Sequence, residues 1–212
     1  MIKNIVFDLG GVIMTIDQSE AVRRFKALGL EDAEARLDPY TQSGIFGELE
    51  EGKITAEDFR RELGALVGRE LTFEQCCHGW RGYCREVPRR ALDVLIRLKA
   101  EGYRLILLSN TNPYMMSWAL SDAFDGEGHS LEYYFDALYL SYKLKMMKPC
   151  EKIFNLILEK ENITPEEMLF VDDGPRNTAM ASNIGINTLC PANGEDWTDA
   201  LYERIRSVNE FR

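Results

Sequence analysis

Asp8 is a carboxylate set at the end of a short apolar run, Lys3-Asn4-Ile5-Val6-Phe7, with the glycine pair Gly10 and Gly11 close behind it. A strand that ends this way places its acid at the carboxyl edge of a sheet, where open α/β folds bind ligands. Glycines in the following turn allow backbone N–H groups to approach an anion closely. The combination suits a carboxylate nucleophile that attacks phosphorus and forms an aspartyl intermediate. An Asp-x-Gly-Gly turn is also ordinary loop chemistry, so the argument depends on what accompanies it.

Three further polar clusters follow apolar runs or open helices. Leu105-Ile106-Leu107-Leu108 leads into Ser109-Asn110-Thr111-Asn112, whose hydroxyl and amide groups can donate to phosphate oxygens or simply satisfy a turn. Met168-Leu169-Phe170-Val171 leads into Asp172-Asp173-Gly174. Two adjacent carboxylates at a strand end repel one another, and a divalent cation with a preference for oxygen, Mg²⁺, offsets that cost; exposure of one of them is the alternative. Lys148-Pro149 precedes a helix carrying Ile153 and Phe154. A lysine at a helix N-terminus opposes the macrodipole, so Lys148 is expected to neutralise both a phosphate and Asp8. Lys143 and Lys145 read equally well as solvated charges, and Arg176 and Asn177 as braces for the acidic loop.

The elements that must position these groups fall into two blocks. Residues 15–87 read as helices without a convincing strand. Asp17-Gln18-Ser19-Glu20 resembles a capping box that opens a helix, and Thr55-Ala56-Glu57-Asp58 and Thr72-Phe73-Glu74-Gln75 open two more. The apolar stripes Val22/Phe25/Leu28 and Phe59/Leu63/Leu66 follow at helical spacing. From Pro88 onward, strands (Arg104 to Leu108, Ala137 to Leu140, Met168 to Val171, Ile186 to Leu189) alternate with helices. That order predicts a mostly parallel sheet covered on both faces, with a helical bundle inserted after the first strand. The predicted organisation is a core of residues 1–14 and 88–212 and a cap of residues 15–87.

The ordered set of carboxylate, hydroxyl, lysine and paired carboxylates resembles the haloacid dehalogenase (HAD) superfamily over nearly the whole chain. Phe7-Asp8-Leu9-Gly10-Gly11-Val12 looks like its first motif, Ser109-Asn110 its second, Lys148-Pro149 its third and Asp172-Asp173 its fourth. The resemblance implies a Rossmann-like three-layer α/β core with a C1-type helical cap. Within the superfamily the chain is most similar to the branch of sugar-1-phosphate phosphatases and the phosphatase domain of soluble epoxide hydrolases. By this resemblance Asp8 is the nucleophile, and Gly10, Gly11, Ser109, Asn110 and Lys148 bind the phosphoryl group. Asp8, the Gly10 carbonyl, Asp173 and Asp172, directly or through water, hold Mg²⁺. The implied activity is Mg²⁺-dependent hydrolysis of a small phosphorylated metabolite. One departure stands out: most members carry a second aspartate, the general acid and base, where this chain has Gly10. Asp17, Glu48 and His78 are the substitutes considered. The same gap keeps a haloacid dehalogenase and a non-catalytic binding protein as alternatives.

Composition bounds the rest. The chain of 212 residues, 45% hydrophobic and 28% charged, has enough material for a full core. Its net charge of -10 argues against nucleic acid or an anionic membrane as a partner. No apolar run reaches the length of a membrane span, and the early first strand predicts no signal peptide. Five cysteines without framework spacing read as free thiols in a reducing compartment, so a cytoplasmic monomer or weak homodimer is expected. Cys76, Cys77, His78 and Cys84 lack a second ligand pair for a metal. In the cap, Gly44-Ile45-Phe46-Gly47-Glu48 is expected to be a flexible substrate loop. His78, Gly79 and Trp80 offer a surface for a sugar face, although for Trp80 packing is the stronger expectation.

Overall fold

The first strand, β1 (Asn4–Phe7), is buried at every position, and this fixes its place at the centre of the sheet. In the computed structural model, which describes residues 1–210, β1 is flanked on both sides. The other strands are β2 (Thr15–Ile16), β3 (Cys84–Glu86), β4 (Arg104–Ser109), β5 (Ala137–Leu140), β6 (Met168–Val171) and β7 (Asn187–Leu189). The main sheet runs β5-β4-β1-β6-β7, with every pair parallel. Phe7 lies opposite both Leu107 and Val171, so the strand ends carrying Asp8, Ser109 and Asp172 coincide. The chain leaves β1 toward β4 on one side and returns to β6 on the other. This reversal of strand order opens a crevice at the carboxyl edge.

Helices cover the sheet and build the inserted segment. Their order is α1 (Gln18–Ala27), α2 (Ala33–Arg36), α3 (Ile45–Glu50), α4 (Ala56–Val67), α5 (Phe73–Trp80), α6 (Arg89–Ala100), α7 (Pro113–Ala119), α8 (Leu131–Tyr134), α9 (Ser141–Leu144), α10 (Glu151–Glu161), α11 (Pro175–Asn183) and α12 (Thr198–Glu210). Helices start at all three segments the sequence marks, but the expected capping box at Asp17–Glu20 is only half made. Thr55 and Asp58 form a reciprocal box on α4, and Thr72 and Gln75 form one on α5. Asp17 caps α1 through the Glu20 N–H, while the Glu20 side chain pairs with Arg23 and Arg24 instead of closing the box.

Several expectations change. The segment 15–87 is not free of strands: β2 and β3 pair antiparallel at its two borders, Thr15 opposite Glu86. Strands of two and three residues are too short to show alternation, which is why the sequence hides them. The expected flexible loop at Gly44–Glu48 is largely the helix α3, held by fully buried Phe46 and Leu49. Leu66 is 47% exposed and does not belong to the stripe of α4. The stretch after Ser109, expected to be only a polar turn, continues into α7 with buried Met115, Met116 and Trp118.

Phe25, Phe46, Phe59 and Trp80 form an aromatic nucleus in the helical segment, with ring centroids 5.0–6.0 Å apart. Tyr114 of α7 continues it toward the sheet, 5.5 Å from Phe59. Burying such a side chain is worth roughly 1.5–3 kcal/mol, and one continuous hydrophobic cluster joins these rings to Phe7 and Leu107. The helical segment is thereby fixed over the edge of the sheet where Asp8 lies.

Candidate active site

Asp8 continues the ladder beyond β1, donating its N–H to Val171 O at 2.9 Å. Its Oδ1 accepts the Leu9 N–H at 2.7 Å and lies 2.9 Å from Lys148 Nζ; Oδ2 carries neither contact. Lys148 enters from the chain between α9 and α10. Its ammonium uses all three N–H donors, on Asp8, on Asp172 Oδ2 at 2.6 Å and on Leu108 O at 3.0 Å. Asn110 holds the Lys148 backbone from both ends, with Nδ2 donating to its carbonyl and Oδ1 accepting its N–H.

Electrostatics here run against isolated carboxylates. One oxygen each of Asp8, Asp172 and Asp173 lie within 4.8 Å of one another. Burial pushes the Asp8 carboxyl well above the ordinary range. Asp172 and Asp173 add to the shift, and Lys148 opposes it. Asp173 is pushed up to about 6, by burial first and then by Asp172. For Lys148, burial works against the ammonium, yet Asp172 and Asp8 together hold it charged and push it up. Three carboxylates thus face one ammonium. Further positive charge is what the cluster lacks, and an all-oxygen donor set fits Mg²⁺.

The sequence-nominated residues do not all point into the cavity. A cleft of about 670 Å³, counting its open mouth, is lined by Asp8, Gly10, Ser109, Asn110, Lys148 and Asp173 at the sheet edge. Asp172 stands behind this wall with both oxygens engaged, Oδ2 by Lys148 and Oδ1 by Gly174 N–H and Asn177 Nδ2. Asn177 therefore braces the loop as expected, while Arg176 is exposed. The Asn110 amide, nominated as a phosphate ligand, is committed to Lys148. The Gly11 N–H, nominated likewise, donates to Met14 O at 2.8 Å. Gly11 matters for another reason: it has φ +74, and a Cβ there would lie 2.1 Å from Asp173 Oδ2. Lys143 and Lys145 are exposed.

None of the three substitute acids lines the cleft. Asp17 is a helix cap, and Glu48 and His78 are exposed and lie outside the lining of the cleft. Sequence reasoning missed the residue two positions beyond Glu48. Glu50, 6% exposed, lines the cavity with Trp80, Tyr83, Asn112 and Met115. Burial pushes its carboxyl up to about 8, with the charge of Asp8 adding and a hydrogen bond from Asn112 opposing. Trp80 is both a packing residue and part of the cavity wall, and its Nε1 has no partner among the described residues. The signal for Asn112 was present in the sequence, since Asn followed by Pro113 is a helix start. Asn112 Oδ1 indeed caps α7, accepting from Tyr114 N and Met115 N.

The comparisons agree with this geometry. Residues 2–185 match the family model described as haloacid dehalogenase-like hydrolase. The chain is 51% identical to a D-ribitol-5-phosphate phosphatase of Bacteroides thetaiotaomicron over 201 residues, covering 95% of this chain and 97% of that one. Among solved structures it is similar to a HAD-like hydrolase from Porphyromonas gingivalis, with TM-score 0.92, 43% identity and coverage of 97% and 98%. A HAD family enzyme of Bacteroides thetaiotaomicron, solved with magnesium and inorganic phosphate, superposes with TM-score 0.86 at 36% identity, covering 94% and 99%. By strand order, by the residues at the strand ends and by these matches, the chain belongs to the haloacid dehalogenase-like hydrolases.

Proposed function

We propose that the protein is a Mg²⁺-dependent phosphatase that hydrolyses a small phosphorylated metabolite, of the sugar- or polyol-phosphate class, through an aspartyl-phosphate on Asp8. The observation that carries this reading is the state of Asp8. One of its oxygens is pinned by Leu9 N–H and Lys148, which aims the carboxylate from the floor of a cleft. Phosphoryl transfer asks mainly for positioning and for neutralisation of charge on the equatorial oxygens. Lys148 supplies one fixed positive charge, and the Ser109 hydroxyl at the cavity wall, which donates to Asn110 O at 3.4 Å, would turn to donate to a phosphoryl oxygen. Asp8, the Gly10 carbonyl and Asp173 would hold Mg²⁺, which when bound supplies the remaining neutralisation. Asp172, with both oxygens occupied, acts by fixing Lys148 and the loop behind Asp173.

In the first step Asp8 Oδ2 bonds to phosphorus as the ester oxygen departs. In the second, water attacks the same phosphorus and releases Asp8. Residues 15–87 act as the cap that encloses the leaving group. The similarity to a D-ribitol-5-phosphate phosphatase and to an enzyme that holds magnesium and phosphate supports the reading. Among the described residues no helix is long and apolar enough to cross a membrane. All five cysteines are free, which favours work in the cytoplasm.

Asp8→Asn should abolish turnover of p-nitrophenyl phosphate and D-ribitol 5-phosphate, and EDTA should do the same to the wild type. Wild-type rates from the variant would remove Asp8 as nucleophile. Halide release from a 2-haloacid in EDTA would favour the dehalogenase alternative.

A further inference from the structure

We propose that Glu50 is the general acid and base of this site, filling from the helical segment the role that Gly10 cannot fill from the sheet. The inference rests on the phosphatase reading and adds to it a residue that protonates the leaving group.

Phosphoryl transfer proceeds by in-line displacement. If Asp8 attacks from the carboxyl edge of the sheet, the bond that breaks lies on the opposite side of phosphorus. That side of the cleft is closed by the helical segment. An alkoxide is a poor leaving group, and a sugar or polyol oxygen needs a proton as it departs. Few groups lining the cleft can supply one. All three Lys148 N–H donors are committed on the far side of the nucleophile. Tyr83 OH donates within the loop of residues 38–42, to Asp38 O and Gln42 Oε1, and burial pushes that phenol up. Tyr40 stands at the mouth, 52% exposed. Asp173 belongs to the acidic cluster beside Asp8. Glu50 is the remaining acid, and it comes from the helical wall.

Glu50 is also held in place. It ends α3, whose Phe46 and Leu49 are fully buried. Two residues later the chain passes Tyr142 so closely that a Cβ on Gly52, at φ +67, would lie 2.2 Å from Tyr142 O. On the other side Asn112, itself 1% exposed, lines the same cavity wall as the carboxyl. Asn112 is itself fixed by the two N–H groups that its Oδ1 caps. Burial keeps the Glu50 proton on at neutral pH, the state a general acid requires.

The proton balance closes over the two half-reactions. As the Asp8 Oδ2–phosphorus bond forms and the ester P–O bond breaks, the Glu50 proton moves to the departing oxygen. Glu50, now a carboxylate, then takes a proton from water as that oxygen bonds to phosphorus. The phosphoaspartate P–O bond breaks, and inorganic phosphate, ionised Asp8 and protonated Glu50 result.

The test compares two substrates on Glu50→Gln, with Mg²⁺ present. D-Ribitol 5-phosphate needs a proton on its leaving oxygen, whereas p-nitrophenolate departs as an anion. We expect the rate of phosphoaspartate formation from D-ribitol 5-phosphate, read in a single turnover, to fall by about 10²–10⁴-fold, while that from p-nitrophenyl phosphate, read as the p-nitrophenolate burst, changes by less than about threefold, which also reports an intact site. The later attack of water slows alike with either ester. Glu50→Asp, which keeps the acid but withdraws it, should retain more of the alkyl activity than Glu50→Gln. Equal loss in the first half-reaction with both substrates, or no loss with either, would overturn the proposal. So would a raised KM for D-ribitol 5-phosphate with kcat unchanged, since Glu50 would then only recognise a substrate hydroxyl. A wild type inert toward both esters would instead refute the phosphatase reading itself, and the role of Glu50 with it.

Discussion

Replacing Lys148 by Met removes one positive charge from the most crowded part of the molecule while keeping most of the side chain's volume. The lysine side chain is 1% exposed, that of Asp172 is fully buried and that of Asp8 is 14% exposed, so water screens these contacts little. Two charge-assisted hydrogen bonds and one to Leu108 O disappear, and the carboxylates remain. Hydrogen bonds to charged groups are worth about 1.5–3 kcal/mol each, and removing one partner of a buried ion pair costs about 3–5 kcal/mol. We therefore expect a loss of about 3–5 kcal/mol in the absence of Mg²⁺, a large share of the roughly 5–15 kcal/mol typical of a domain. The loss depends on pH in a definite sense. Lys148 is the influence that lowers the Asp8 value, so without it that carboxyl is raised further above its unfolded value. A raised carboxyl favours folding at low pH and loses that contribution as pH rises; the deficit should be larger at pH 8 than at pH 5. Urea unfolding followed by the fluorescence of Trp80, Trp118 and Trp197 measures it. Excess Mg²⁺ should return part of the loss, because it binds the native state in preference to the unfolded one. A deficit below about 1 kcal/mol, equal at both pH values, would refute the view of Lys148 as the counter-charge of this cluster.

Two further outcomes are expected. Gly11→Ala places a methyl group where Asp173 Oδ2 now lies and forces a positive φ on a residue with a side chain, at roughly 1–2 kcal/mol for the backbone alone. Calorimetric titration should find its Mg²⁺ affinity reduced, and an unchanged affinity would remove Asp173 from the ligand set. Glu50→Gln should become progressively more stable relative to wild type between pH 4.5 and about 8, the ordinary and the buried values of this carboxyl. Across that window the unfolded wild type has released a proton that the native state still holds, so wild-type stability falls by about 1.4 kcal/mol per pH unit, on the order of 4 kcal/mol in all. Parallel pH-stability curves for the two proteins would show that Glu50 is not buried as a protonated acid.

The parallel sheet was legible because β1, β4 and β6 are apolar runs long enough to read, each ending in polar residues. Their ends therefore mark Asp8, Ser109 and Asp172-Asp173. The helix starts at Thr55 and Thr72 were equally plain, since a cap and its partner lie within four residues of one another. By itself the sequence determined the fold class, the order of elements and which residues stand at the carboxyl edge. Tertiary structure alone decided what each of them does there. The fold commits the Asn110 side-chain amide to Lys148 and the Gly11 N–H to Met14, and it engages both oxygens of Asp172, which the sequence left to act directly or through water. Glu48-Leu49-Glu50-Glu51 looks like any solvated acidic helix end. Only the packing of α3 beneath Asn112 and beside Tyr142 separates one of its acids from water, because burial and charge depend on neighbours distant in the chain, which local spacing does not encode.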